Sequence, residues 1–304
     1  MKILITGANG QLGTAIMKII ENRKCDLGNI SSEIKIEDTV GLSSKELDIS
    51  IMDNVIKTFN EIKPDVVINC AAYTNVDKCE SNEDIAFKVN ALGARNLAKA
   101  AEKIGAKIIH ISTDYVFNGE GEIFKGIGDK PLKEYDLTGP VSVYGKTKLM
   151  GEDFIRDFST KYFIVRTAWL YGYYGNNFVY TIMKAGEEKG KLKVVDDQKG
   201  NPTNAEDLAY HILKLANTEE YGIYHCTGNG ECTWYDFACK IIEYAKIDCK
   251  VSPCSSDEFK RPAKRPEFSS LDNMMLRCTI GDNMREWQEA LKVFIENYKR
   301  FKNN

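Results

Sequence analysis

Residues 1–13 read MKILITGANGQLG, and this stretch opens the chain with a strand, a turn and a helix. The segment from Lys2 to Thr6 is apolar and β-prone, and it stops at Gly7. An amphipathic helical pattern then continues through Ile20. The order is that of the first half of a βαβ unit.

The turn has the pattern G-x-x-G-x-x-G, with glycines at Gly7, Gly10 and Gly13. Glycine there permits a tight turn, close approach of backbone to a pyrophosphate and close helix–sheet packing. The following helix offers free N–H groups to phosphates. The pattern therefore predicts a dinucleotide-binding loop.

Strand and helix patterns alternate along the rest of the chain. Strands are predicted at Val66 to Asn69, Lys107 to Ser112, Tyr162 to Thr167 and near Tyr221 to Cys226. Helices are predicted at Glu83 to Lys103, Val141 to Phe158, Ala205 to Ala216, Trp234 to Ala245 and Met284 to Phe301. The alternation predicts an α/β fold of Rossmann type, a doubly wound parallel sheet.

A smaller, mainly C-terminal substrate-binding lobe is expected to pack on the carboxyl edge of the sheet, where such folds bind ligands. We assign residues 1–170 and about 200–226 to the dinucleotide-binding domain. Residues of about 171–199 and 227–304 are assigned to the lobe. The Gly/Tyr/Asn-rich stretch from Tyr171 to Asn177 is either an active-site loop or an ordinary surface loop.

Composition narrows the class of function. The chain has 41 Lys and Arg against 44 Asp and Glu, a formal charge of −3, which provides no basic field for nucleic acid or an anionic membrane. The nine cysteines form no C-x-x-C pair, and the three histidines lack metal-ligand spacing, so we expect reduced thiols and no metal. No apolar run resembles a signal peptide or a membrane span, which predicts a cytoplasmic protein.

The second strand of the sheet has two possible positions in the sequence, and each position puts different residues next to the 2′ position of the cofactor. If Glu33 to Ile36 is the second strand, Glu37 and Asp38 end it and favour NAD. If the strand is Thr39 to Leu42, it ends at Ser43, Ser44 and Lys45, which favour NADP.

A catalytic set is predicted from three positions. Tyr144 and Lys148 are four residues apart, so they share one face of a helix. We expect the Lys148 ammonium to lower the pKa of Tyr144. The segment Ser112-Thr113-Asp114 ends a predicted strand, and its hydroxyl could help to hold a substrate carbonyl.

Taken together, the motifs resemble the dTDP-4-dehydrorhamnose reductases, extended short-chain dehydrogenases that act on a nucleotide sugar. The N-terminal motifs are Ile5 to Gly13, Pro64 to Thr74, Ser112 to Phe117 and Val143 to Lys148. The later motifs are Arg166 to Tyr171, Gly175 to Phe178, Asp196 to Gln198, Asn201 to Thr203 and Arg265-Pro266.

The resemblance implies a role for each matching residue. Tyr144 would be the proton donor, Lys148 its partner and a ribose contact, and Thr113 the hydroxyl beside the ketone. The resemblance places cofactor contacts on Gly10, Gln11, Leu12, Asp48, Ile49, Ala72, Tyr73 and Thr74. The glycine loop adds Gly7 and Gly13, the later position of the second strand adds Ser43 and Lys45, and Tyr144 and Lys148 are also expected to contact the cofactor. Substrate contacts would fall on Thr113, Asp114, Trp169, Asn177, Pro202, Thr203 and Arg265.

The segment from Gly119 to Pro140 departs from the family by its greater length, with the extra residues around Phe124 to Lys133. The expected reaction is NADPH-dependent reduction of dTDP-4-dehydro-L-rhamnose at C4, with NADH as the alternative cofactor. Partners beyond the nucleotide sugar are not expected, except for a second copy in a homodimer.

Two other functions remain open. One is a related nucleotide-sugar reductase, epimerase or dehydratase; related dehydratases follow the strand-end Thr with Asp-Glu, whereas here Tyr115 follows Asp114. The other is a non-catalytic NADP-binding regulatory subunit.

Overall fold

The computed structural model describes residues 1–119 and 130–302. Its strands are β1 Ile3–Thr6, β2 Lys24–Cys25, β3 Gly28–Asn29, β4 Thr39–Leu42, β5 Val66–Asn69, β6 Lys107–Thr113, β7 Tyr162–Thr167, β8 Leu170–Tyr171, β9 Lys191–Val195, β10 Lys199–Gly200, β11 Thr203–Asn204, β12 Gly222–His225, β13 Cys232–Thr233 and β14 Lys250–Cys254. Most of the predicted extra length around Phe124 to Lys133 lies outside the described residues.

The helices cover both faces of the sheet and build the C-terminal lobe. They are α1 Gln11–Asn22, α2 Met52–Ile62, α3 Val76–Ser81, α4 Glu83–Ala86, α5 Gly93–Ile104, α6 Val143–Phe158, α7 Phe178–Lys189, α8 Ala205–Ala216, α9 Trp234–Ala245, α10 Met274–Cys278 and α11 Trp287–Lys302. A π-helical segment, Phe87–Leu92, joins α4 to α5.

The central sheet has six parallel strands in the order β12-β7-β6-β5-β1-β4. Side chains of β1 alternate: Ile3 and Ile5 pack with α1 and α8 on one face, and Leu4 packs with α2 and α5 on the other. Burial on both faces is why these strands are continuous apolar runs. The predicted Rossmann-type α/β fold is confirmed.

The lobe has its own aromatic core, which includes Tyr171, Phe237 and Phe294. Its parallel pair β9 and β14 is separate from the central sheet, whereas β12 is the edge strand of that sheet. The division into two domains stays a prediction.

Some predicted boundaries were wrong. The last helix begins at Trp287 rather than Met284, because the residues before it form a β-bridge: the Asn229 N–H donates to Arg285 O, and the Trp287 N–H donates to Asn229 O. The helix predicted from Val141 begins at Val143, since the Ser142 side chain caps it by accepting from the Gly145 N–H. Tyr171, predicted in a loop, ends β8.

Candidate active site

The glycine loop after β1 has the shape that a pyrophosphate requires. Gly7 has φ +67°, and a Cβ there would lie 2.7 Å from the Ala71 backbone N. A Cβ on Gly13 would lie 2.4 Å from the Gly7 O. Gly10 precedes α1 without a side-chain cap, which leaves N–H groups of the first turn, at Gln11 and Leu12, for a ligand. The loop therefore fits a dinucleotide.

The second strand of the sheet is Thr39–Leu42, so the alternative strand at Glu33 to Ile36 was wrong. Pairing decides this, because Leu42 is the register partner of Thr6 at the sheet's carboxyl edge. Ser43 follows directly, and both its N–H and its hydroxyl donate to Glu46 Oε2, at 2.8 and 2.7 Å. Lys45 is exposed.

The other predicted cofactor residues follow β4 and β5. Asp48 accepts from Ser50, and Ile49 is buried against Gly93, where a Cβ would lie 2.6 Å from Ile49 Cδ1. The Tyr73 N–H, between Ala72 and Thr74, donates to Asn90 Oδ1 at 2.8 Å. These roles in binding a cofactor stay predictions.

Thr113, Asp114 and Tyr144 meet where β6 ends. The Thr113 hydroxyl donates to Asp114 Oδ1 at 2.9 Å, and Tyr144 forms a side-chain hydrogen bond with Thr113. Burial raises the pKa of Asp114 to about 6. Burial also raises the pKa of Tyr144 above its ordinary value, and the bond to Thr113 offsets only part of this rise. Tyr144 is therefore a neutral phenol that can donate a proton.

Lys148 lies one turn further along α6 and is 2% exposed. Its Nζ donates to the Ile111 carbonyl at 2.6 Å and lies 3.2 Å from His110 Nε2. The expectation that Lys148 lowers the pKa of Tyr144 was wrong for the protein as it stands. The reason is that burial dominates at Tyr144, and the lysine nitrogen contacts β6 instead.

Trp169 follows β7 with its backbone in the left-handed region, φ +46°. Its indole stacks on Trp234, with ring centroids 3.6 Å apart and planes 8° apart. A Cβ on Gly200 would lie 2.6 Å from the indole, so glycine makes room for it. Such backbone strain in a non-glycine residue persists only where surrounding contacts hold it.

The remaining predicted substrate residues have internal partners. Asn177 caps α7 and donates to Gln11 Oε1 at 3.3 Å. Thr203, next to Pro202, is fully buried, and its hydroxyl donates to Asn201 O. Arg265 donates to the Tyr115 hydroxyl at 3.0 Å and pairs with Asp77. Contacts of these residues with a substrate stay predictions.

Five polar residues around this site were not predicted from the sequence as functional. They are Asn69, His110, Asn90, Glu152 and Arg166, and all of them are buried. For Asn69, His110 and Arg166 the available signal was a polar residue inside an otherwise apolar strand, because such groups are buried only when hydrogen-bonded.

Asn90 lies in the π-helical segment and connects the cofactor side of the site to α6. Its Nδ2 donates to Tyr73 O and to Thr147 Oγ1, at 3.2 and 3.1 Å. A Cβ on Gly151 would lie 2.5 Å from Asn90 O, so α6 packs closely on this segment. A π-helical turn often marks a functional site.

In the described residues, no three or more His, Cys, Asp or Glu side chains are grouped so that they could hold a metal ion. Across residues 1–119 and 130–302, no helix has the length and apolar character needed to cross a membrane.

The parallel sheet, the glycine loop and the neighbouring Thr, Tyr and Lys define the arrangement of an extended short-chain dehydrogenase. The family model described as RmlD substrate binding domain matches residues 1–300. The dTDP-4-dehydrorhamnose reductase of Aggregatibacter actinomycetemcomitans is 38% identical over 304 residues, covering 96% of this chain and 97% of that protein. The chain belongs to the dTDP-4-dehydrorhamnose reductase family, whose members are NAD(P)H-dependent oxidoreductases.

Two solved structures agree with this assignment. A dTDP-4-dehydrorhamnose reductase from Clostridium acetobutylicum is 50% identical with a TM-score of 0.90, covering 98% of this chain and 100% of that one. The dTDP-4-dehydrorhamnose reductase from Bacillus anthracis, solved in complex with NADP, is 41% identical with a TM-score of 0.88 and the same coverage.

Proposed function

We propose that the protein reduces the C4 ketone of dTDP-4-dehydro-L-rhamnose to give dTDP-L-rhamnose, with NADPH as reductant and NADH as the alternative. The observation that carries the proposal is the position of the Tyr144 phenol beside the Thr113 hydroxyl at the carboxyl end of β6. Membership of the family supports the choice of substrate.

The cofactor would lie across the carboxyl edge of β1, β4 and β5. The loop of Gly7, Gly10 and Gly13 would hold its pyrophosphate, and the residues after β4 would hold its adenosine end. When bound, the cofactor supplies a hydride to the ketone carbon. The protein's own residues orient the ketone and supply the proton.

Proton donation falls to Tyr144. As the C4–H bond forms, the carbonyl electron pair moves to oxygen, and the Tyr144 O–H gives its proton to that oxygen. The Thr113 hydroxyl helps to hold the oxygen in place. The phenolate that remains takes a proton from solvent before the next turnover, and a protonated Lys148 nearby would stabilise it.

The residue after Asp114 disfavours elimination chemistry. Tyr115 occupies the position of the Glu in related dehydratases, and its hydroxyl accepts from Arg265. Burial raises the pKa of Tyr115 to about 12, so it is not a base near neutral pH.

The test is loss of NADPH absorbance with a panel of 4-keto nucleotide sugars, each offered with NADPH and with NADH. We expect turnover with dTDP-4-dehydro-L-rhamnose and formation of dTDP-L-rhamnose. Turnover only with another sugar would overturn the substrate assignment. Cofactor binding without turnover of any sugar would indicate the regulatory subunit instead.

A further inference from the structure

Four buried side chains form a row that ends at Lys148. Thr6, Asn69 and His110 are register partners on three neighbouring strands, β1, β5 and β6. Thr6 Oγ1 donates to Asn69 Oδ1 at 2.7 Å, Asn69 Nδ2 lies 2.9 Å from His110 Nδ1, and His110 Nε2 lies 3.2 Å from Lys148 Nζ. Each of the four is at most 2% exposed, so the row is shielded from bulk solvent.

The direction of these hydrogen bonds is fixed by one backbone group. The Ala71 N–H can only donate, and it lies 3.1 Å from Asn69 Oδ1, which fixes that atom as the amide oxygen. The Asn69 NH2 group therefore donates to His110 Nδ1. A neutral imidazole that accepts at Nδ1 carries its proton on Nε2. Burial keeps the pKa of His110 well below its usual range, so the ring is neutral.

The proton on His110 Nε2 points at Lys148 Nζ and needs an acceptor. An ammonium has no lone pair, whereas a neutral amine accepts one hydrogen bond and still donates to the Ile111 carbonyl. We propose that, in the free protein under mildly alkaline conditions, Lys148 is a neutral amine that accepts from His110, and that Asn69 and His110 are positioning residues that set this state.

The titratable groups around Lys148 are few. His110 faces it from β6, Cys70 from the segment after β5, and Glu152 from the next turn of α6. Burial lowers the pKa of Lys148 to about 8, while Glu152 and Cys70 oppose this shift. The shift favours the neutral amine, which becomes the major form above about pH 8, in agreement with the geometry.

The inference deepens the proposed function, in which a protonated Lys148 stabilises the Tyr144 phenolate. An amine that takes a proton from solvent becomes an ammonium, which can no longer accept from His110 Nε2–H. Protonation therefore removes the contact with His110, and Nζ, which can still donate to the Ile111 carbonyl, has further N–H groups to offer a cofactor ribose and Tyr144. Cofactor binding above the pKa of Lys148 should then be coupled to uptake of one proton.

The first test is the tautomer of His110, read from 15N chemical shifts in the labelled free protein at about one pH unit above the Lys148 pKa of about 8. The chain offers two internal controls, because His211 Nδ1 bonds to Asp207 O and His225 Nδ1 bonds to Leu132 O, which place their protons on Nδ1. We expect His110 alone of the three to carry its proton on Nε2. A proton on Nδ1, or an imidazolium, would overturn the inference whatever the enzymatic activity.

The second test uses the Asn69→Asp variant. Its carboxylate still accepts hydrogen bonds from the Ala71 N–H and the Thr6 hydroxyl, but it cannot donate to His110 Nδ1 and can only accept a hydrogen bond from that atom. The His110 proton should move to Nδ1, and Nε2 should then accept from a Lys148 ammonium. Calorimetry of NADPH binding in buffers of different ionisation enthalpy, at about one pH unit above the Lys148 pKa of about 8, should show nearly one proton taken up by the unmodified protein.

On binding NADPH, the Asn69→Asp variant should take up less than about half as many protons as the unmodified protein. Thr6→Val, which leaves the Ala71 contact in place, should behave like the unmodified protein. Equal uptake in all three proteins would contradict the inference. If the Asn69→Asp variant does not fold, or if NADPH does not bind, the 15N measurement on the free protein still tests the inference. Failure of the unmodified protein to bind NADPH would contradict the proposed function but not the inference about Lys148.

Discussion

Arg166 and Glu152 form a buried ion pair that joins the strand β7 to the helix of Tyr144 and Lys148. Arg166 Nη2 lies 2.7 Å from Glu152 Oε2, and the two side chains are 4% and 1% exposed. Ser112, the neighbour of Thr113, donates to Glu152 Oε1 at 2.5 Å. The pair therefore holds α6 against the two strands that border the candidate active site.

Arg166→Met should destabilise the protein by about 3 to 5 kcal/mol, because it leaves the Glu152 carboxylate buried without its partner. The double variant with Glu152→Leu should recover a large part of that loss. Urea unfolding of both variants measures the difference. Lys184→Met, at an exposed pair with Glu188, serves as control and should change the free energy of unfolding by no more than about 0.5 kcal/mol. Additive losses in the double variant would show that the two side chains do not stabilise each other.

Tyr144→Phe should reduce turnover by at least about a hundredfold, because general acid catalysis contributes about 10² to 10⁴ in rate. NADPH affinity and thermal stability should change little, since only the phenolic oxygen is lost. Initial rates and fluorescence titration measure the two effects separately. Tyr135→Phe, at an exposed tyrosine, is the matched control and should retain full activity. A Tyr144→Phe enzyme close to full activity would assign the proton to another group.

Glu46→Gln should shift the kinetic preference between the two cofactors toward NADPH by roughly fivefold, as expected for removal of one exposed like charge. In the free protein the Glu46 carboxylate accepts both hydrogen bonds of Ser43, which a 2′-phosphate would otherwise accept. The ratio of kcat/KM values for NADPH and NADH measures the shift. Glu37→Gln should leave the ratio unchanged, because Glu37 precedes β4. If the ratio shifted in the Glu37→Gln variant and not in the Glu46→Gln variant, the earlier segment that contains Glu37 would lie next to the 2′ position of the cofactor.

Asp114→Asn should stabilise the protein near pH 7.5 by on the order of 2 kcal/mol while it lowers turnover. Burial raises the pKa of Asp114 from 3.8 to about 6, so the folded state binds its proton more tightly than the unfolded state. Its contribution to stability is present below pH 3.8 and is lost as pH rises through about 6.

The difference between Asp114→Asn and the unmodified protein should therefore shrink as pH falls toward about 4. Thermal unfolding at both pH values measures it, and the exposed Asp157→Asn should stay within about 0.5 kcal/mol throughout. A destabilised Asp114→Asn at pH 7.5 would mean that the ionised carboxylate contributes favourable contacts.

Much of the site is readable from local sequence pattern. The strand–glycine–helix order at residues 1–22, the alternation that predicts a parallel sheet, and the spacing of Tyr144 and Lys148 depend only on backbone period and on glycine's freedom at Gly7. The position of Thr113 at the carboxyl edge of the sheet follows from the end of the strand pattern that precedes it. These features can be predicted without knowing which strands become neighbours, because each depends on residues close together in the chain.

Contacts between distant segments could be decided only by the tertiary structure. The sequence allows two segments to be the second strand, and only the pairing with β1, which places Leu42 opposite Thr6, shows which segment it is. The row of Thr6, Asn69 and His110 exists because three strands far apart in sequence share one register. Burial of Tyr144 itself raises its pKa and so reverses the expected direction, since the cost of desolvation depends on what surrounds a group and not on its neighbours in sequence.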